Sequence, residues 1–343
     1  MGMSQMAPLD KSFMKTILGA SVEVGPIPFN LYSIEHQGEV VLLCKAGYEI
    51  TPEQKEMLGQ HDRVFYVRSD EQHLYLDYAT DRIDHVIENP QVLSRDKAAL
   101  VTSVGRRVVQ RVIESPRSGP ETKRAGEFVE SYIDLVLRFP EVKNDLFAIA
   151  SYGKYLLTRS FNVCTFCLLI GEVVYGHNRR HLWQLGMGGL LHDVGMTRID
   201  KNILNKPGML TNDECKEVKN HPIYSFEILE GHDLPHSVLM MARGHHERID
   251  GSGYPDGLSG TDIHPFALLA GIADTYDAMT SDAPYKPMAG HLKALKELSA
   301  MLDQFDKDIF LSLLKVVLVD DMLVDRFLSG ELNILTERNG RSV

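Results

Sequence analysis

The chain has 343 residues, enough for one large domain or two ordinary ones, each with its own core. Its apolar content of 44% and charged content of 24% are those of a folded protein and exclude wholesale disorder. A net charge of −11 excludes a nucleic-acid polymer as main partner, since a phosphate backbone needs a basic field, but a small anionic nucleotide held by metal ions and local cations stays admissible.

The opening MGMSQMAPLDKSF lacks the apolar core of a signal peptide. No run of about 18 uncharged apolar residues follows, so no membrane span and a cytoplasmic location are expected. Four cysteines do not make a disulfide framework in a chain of this size and fit a reducing compartment. From residue 22 to about 80, PFNLYSI, EVVLLCKAG and DRVFYVR read as strands, rich in β-branched and aromatic residues. TPEQKEMLGQ opens like a helix, and EQHLYLDYATDRI reads as a helix leading out. Residues 1–85 are therefore expected to form a small α/β domain for regulation or dimerisation.

VTSVGRRVVQRVI and EFVESYIDLVLRF carry apolar residues at three- and four-residue spacing, with SPRSGP as a breaker between them. These place a helical linker over 86–145. Helices continue through 146–343, where nine of the 14 histidines fall between His177 and His264. Cys164 and Cys167 form a CxxC pair in an apolar helical run with no second pair, and read as core thiols. The fold class expected is mainly α, a C-terminal helical bundle with a small N-terminal α/β domain.

Four elements carry chemistry. His192-Asp193 in LLHDVG joins an imidazole to a carboxylate able to bridge two ions. Alone the dipeptide is a weak signal. His221 lies in the helix-like KNHPIYSFEIL, where a lone histidine is more often structural. His245 and His246 precede the loop DGSGYPDG. Asp274 sits in the apolar helix FALLAGIADTYDAMT, where a charge is costly unless paired or metal-bound. Together the four suggest a metal site.

HD, then HP, then HHE with DGSGYP, then IADTYDAMTSD and PYK occur in the order and spacing of the HD-GYP family, which this chain resembles from about Leu156 to Phe310. The resemblance implies an HD-type bundle that hydrolyses cyclic-di-GMP to pGpG or GMP by in-line attack of an activated water. It implies two divalent ions, iron or manganese. Asp193 would be the catalytic bridge, with His221, His245 and His246 completing one ion's shell and His192 and Asp274 serving the other. Lys286 would contact phosphate. Gly253, Tyr254 and Pro255 would border the substrate, with Gly251 and Gly253 allowing the turn. Protein partners in cyclic-di-GMP signalling and a homodimer are further expectations.

The chain departs from the family pattern at four positions. Arg159 stands where the family has its first metal histidine, and a guanidinium offers no lone pair. It reads either as a partly exposed cation or as a guanidinium filling the metal position and pairing with Asp274 or a ligand phosphate. Tyr155 is not the glutamate of members with a third metal. Met196 and Ala283 replace a lysine and an arginine that hold phosphate. The alternatives to the enzyme are a catalytically weak module that senses the messenger or docks a protein, and an enzyme for another cyclic dinucleotide.

Overall fold

The computed structural model describes residues 13–16, 26–34, 39–54, 64–150, 156–281 and 290–330. They form two compact units, Met1–Arg107 and Val108–Val343.

In the first unit, β1 (Phe13–Thr16), β2 (Leu31–Ile34), β3 (Val40–Cys44) and β4 (Phe65–Arg68) make an antiparallel sheet in the order β1-β4-β2-β3. Tyr32 pairs with Tyr66 and Ser33 with Phe65. Strand alternation turns Phe65 and Val67 of β4 inward. Helix α1 (Gln72–Thr80) supplies Tyr75 and Tyr78, whose rings each meet Phe29 edge-on at 5.6 Å. Helix α2 (Ile83–Glu88) follows. The three strands expected from the sequence are present, and β1 adds a fourth ahead of them. Most of TPEQKEMLGQ lies outside the described residues.

Helix α3 (Ser94–Glu114) contributes residues to both units. Its early turns serve the first unit: Lys97 Nζ donates to Ile87 O at 2.6 Å, and Arg107 pairs with Asp77 at 2.9 Å. Its last turn serves the second, where Arg111 pairs with Glu121 at 2.7 Å. The division thus falls between the boundaries read from sequence at 85 and 145.

The second unit is helical, as expected: α4 (Gly119–Arg138), α5 (Val142–Ala150), α6 (Leu156–Tyr175), α7 (Arg179–Leu191), α8 (Lys201–Leu204), α9 (Asn212–Val218), α10 (His221–Leu229), α11 (His236–Gly244), α12 (Pro265–Thr280), α13 (His291–Ser299), α14 (Lys307–Leu318) and α15 (Asp321–Leu328). Helix α6 is apolar on all sides, which suits a central helix, and it packs against α7, α12 and α14. It buries Phe161, Val163, Phe166, Cys167 and Ile170, the larger of these stabilising the fold by about 1.5–3 kcal/mol each. Cys164 and Cys167 are core thiols, their pKa values pushed up by burial. Between α7 and α8, the 3₁₀ turn Val194–Arg198 abuts α10. Gly195 allows that approach, because a Cβ there would lie 2.1 Å from His221 O. This contact brings the His192-Asp193 pair up to His221.

Candidate metal centre

Helix ends bring the six ligand-type residues together. His192 caps the C-terminus of α7, and Asp193 opens the 3₁₀ turn after it. His221 begins α10, whose first turn is preset by Pro222. His245 caps α11 and His246 follows. Asp274 comes from within α12, and Arg159 from α6. Helix C-termini leave carbonyls without intrahelical partners, and the histidines use them. Nδ1 of His192 donates to Gly189 O at 2.8 Å, and Nδ1 of His245 to Ala242 O at 3.0 Å. His221 Nδ1 donates to Val218 O, at the end of α9, at 2.7 Å. A carbonyl only accepts, so each Nδ1 carries the proton and each Nε2 turns inward.

On one side of Asp193, His221 Nε2 lies 3.1 Å and His245 Nε2 3.6 Å from Oδ1. The two Nε2 atoms are 3.3 Å apart. With both Nδ1 atoms turned to carbonyls, the two Nε2 atoms face each other and a carboxylate oxygen. His246 joins them, its ring 4.1 Å from that of His245, and ligand atoms of His221, His245 and His246 lie within 4.8 Å of one another. A divalent cation resolves such a cluster, so these residues fit one. Burial holds His245 below its ordinary pKa and takes His246 down to about 2, keeping both imidazoles neutral and able to ligate.

On the other side stand His192, Asp193 Oδ2 and Asp274. His192 Nε2 is 3.3 Å from Asp193 Oδ2 and 3.6 Å from Asp274 Oδ1. His192 Nε2 is buried and makes no hydrogen bond among the described residues. Arg159 supplies charge here: its Nη2 lies 2.5 Å from Asp274 Oδ1 and its Nε 3.5 Å from Asp193 Oδ2. Burial opposes ionisation of Asp274, yet Arg159 and His192 hold its pKa far below the usual carboxylate range. Burial likewise opposes a charged His192, but Asp193 and Asp274 push it up to about 10. Of the two sequence readings of Arg159, this geometry matches the guanidinium paired with Asp274.

The loop after His246 borders the cluster. Tyr254 stacks on His246, centroids 4.6 Å apart and planes 23° apart. The Lys219 ammonium sits over the Tyr254 ring, 5.2 Å from its centroid. A Cβ on Gly253 would lie 2.5 Å from Glu247 Cα and Arg248 N, so the turn needs glycine there. Pro255 follows in a cis peptide. Glu247, buried, accepts from Asp256 N at 2.7 Å and Leu258 N at 3.0 Å and so pins this loop. Lys286, Ala283 and Tyr155 lie outside the described residues. Met196 is half-buried on the 3₁₀ turn.

Sequence reading assigned no role to Glu247 or Lys219, although the first sits in HHE and the second in KNHP. It also passed over a second polar pair at the core. Asn162 Nδ2 donates to the buried Asp277 at 2.8 Å.

Residues 158–309 match the family model of the HD domain. A cyclic di-GMP phosphodiesterase of Pseudomonas aeruginosa is 31% identical over 250 residues, 72% of this chain and 60% of the relative. A 3'3'-cGAMP-specific phosphodiesterase of Vibrio cholerae is 27% identical, over 68% of this chain and 48% of the relative. A cyclic di-GMP phosphodiesterase of Thermotoga maritima is 33% identical over 52% of this chain and 50% of its own length. The chain thus spans about half to three-fifths of these relatives. Among solved structures, an HDG"Y"P protein from Bdellovibrio bacteriovorus shares the fold, with a TM-score of 0.62 at 17% identity, over 89% of this chain and 99% of that one. No described helix is long and apolar enough to cross a membrane.

Proposed function

We propose that this chain, whose residues 158–309 match the HD domain, belongs to the HD-GYP family and is a metal-dependent phosphodiesterase that opens cyclic-di-GMP to linear pGpG, as the names of its relatives suggest. The strongest support is the convergence of His221 Nε2, His245 Nε2 and Asp193 Oδ1 at 3.1 to 3.6 Å, a buried donor set that suits a divalent cation. Imidazoles with one carboxylate suit iron or manganese. When bound, the ion supplies Lewis acidity, lowering the pKa of water and offsetting phosphate charge.

The chain's own residues do the rest. Asp193 presents Oδ1 to the histidine cluster and Oδ2 to the Arg159 side, and so ties the two halves of the site together. Asp274 and Asp193 hold Arg159 in place. Tyr254, carried by Gly253 and Pro255 against His246, offers a ring for a guanine base or a hydroxyl for phosphate. Lys286 is assigned to a phosphate oxygen. Residues 146–343 are read as the catalytic domain, 86–145 as a linker, and 1–85 as a regulatory or dimerisation domain working in the cytoplasm.

The test strips the full chain with a chelator, reloads it with Mn²⁺ or Fe²⁺, and separates the products by chromatography. Cyclic-di-GMP should be opened by the reloaded chain alone, and Asp193→Asn should lower turnover by at least about 100-fold. A stripped chain as active as the reloaded one would sink the proposal. Cyclic GMP-AMP as competing substrate reports whether the guanine pair is what is read.

A further inference from the structure

We propose that the Arg159 guanidinium takes the place of a second divalent ion, so that the site works with one ion and one fixed organic cation. This rests on the metal-dependent reading above and narrows it.

Two overlapping donor groups occupy the site. His221, His245 and His246 form one, and His192, Asp193 and His245 the other, with His245 common to both. Their surroundings differ in one respect. In the first group His221 Nε2 and His245 Nε2 lie 3.3 Å apart, and they face Asp193 Oδ1 at 3.1 and 3.6 Å with no cation beside them among the described residues. The second faces a cation. Arg159 reaches both carboxylate oxygens on that side, Asp274 Oδ1 at 2.5 Å and Asp193 Oδ2 at 3.5 Å. Those are the oxygens that a second ion would need.

A guanidinium and a dication cannot share them. Both would sit within a few ångströms of one oxygen in a poorly solvated pocket, where like charges repel strongly. The arginine stays charged at any ordinary pH, so protonation offers it no way out. Displacing it would also uncover two buried carboxylates, since Asp193 and Asp274 are 5% and 3% exposed. Its backbone is fixed, because Ser160, Phe161 and Asn162 of the same turn are buried and Asn162 is tied to Asp277. The arginine side chain itself keeps 31% of its surface exposed. The side chain is thus still reachable from solvent, so a phosphate oxygen could approach it while it holds the carboxylates.

The test is metal content by elemental analysis, on full chain loaded with Mn²⁺ and freed of loosely held metal, with electron paramagnetic resonance on the same samples. Wild type should hold one Mn²⁺ per chain with the signal of an isolated ion. Arg159→His should hold two, with the signal of an exchange-coupled pair. Arg159→Lys, which keeps the positive charge, should stay at one. Two ions or a coupled signal in wild type would overturn the inference and leave metal dependence standing. Arg159→His remaining at one ion would also overturn it. Wild type with no bound ion would instead overturn the metal-dependent reading itself. The wild-type count decides the matter even if the histidine variant folds poorly.

Discussion

Asp277 lies one turn beyond Asp274 on α12, and the two carboxylates are treated oppositely. Asp274 has a guanidinium beside it and is held ionised. Asp277 has an amide and a hydroxyl, from Asn162 at 2.8 Å and Ser281 at 3.0 Å, and burial raises its pKa to about 6. A folded pKa above the unfolded value of 3.8 contributes stability that is complete below that value and lost as pH rises through about 6. Asp277→Asn removes the titration and keeps a hydrogen-bonding oxygen. Its stability relative to wild type should therefore rise between pH 4 and pH 8, by up to about 3 kcal/mol. Urea unfolding across that range measures it, and a flat difference would contradict the assignment. The sequence exposed Asp274 readily, as a charge in an apolar helix within a known motif. Asp277 stands in the same apolar helix, yet the sequence did not disclose its partner. Asn162 is 115 residues away, and only the packing of α6 on α12 joins them.

At the scale of elements, the site is built where α7, α9 and α11 end, and free carbonyls there orient the imidazoles of His192, His221 and His245. That much was legible: histidines beside Gly and Pro breakers mark such ends. The loop after α11 was legible as a turn but not as a pinned one. Glu247 grips it through two amides, and no spacing rule connects a glutamate to amides nine and eleven residues on. Glu247→Ala should leave both amides without their charged acceptor, costing roughly 2–4 kcal/mol. Hydrogen exchange should speed up at Asp256 and Leu258 while the core of α6 stays protected. Unchanged exchange at those two amides would show that the loop is held by other contacts, such as the bidentate Arg243–Asp256 pair at 2.7 Å.

For the whole molecule, composition and periodicity anticipated a helical unit and a small α/β unit, because apolar spacing is a local property of the chain. The division at Arg107 was not legible, since the helical apolar pattern continues across it and Gly105, the one glycine of α3, does not end the helix. Likewise β1, four residues long, pairs only with β4, some 50 residues later in the chain. The net charge of −11 bears on function at this scale. An anionic dinucleotide meets an unfavourable overall field, so its binding must depend on the local cations, the ion together with Arg159. The most direct measurement is hydrolysis of cyclic-di-GMP by the Mn²⁺-loaded full chain in ¹⁸O-labelled water, read by mass spectrometry. Linear pGpG with one ¹⁸O in its new terminal phosphate is expected. Fully loaded protein that binds cyclic-di-GMP and yields no labelled linear product would contradict it.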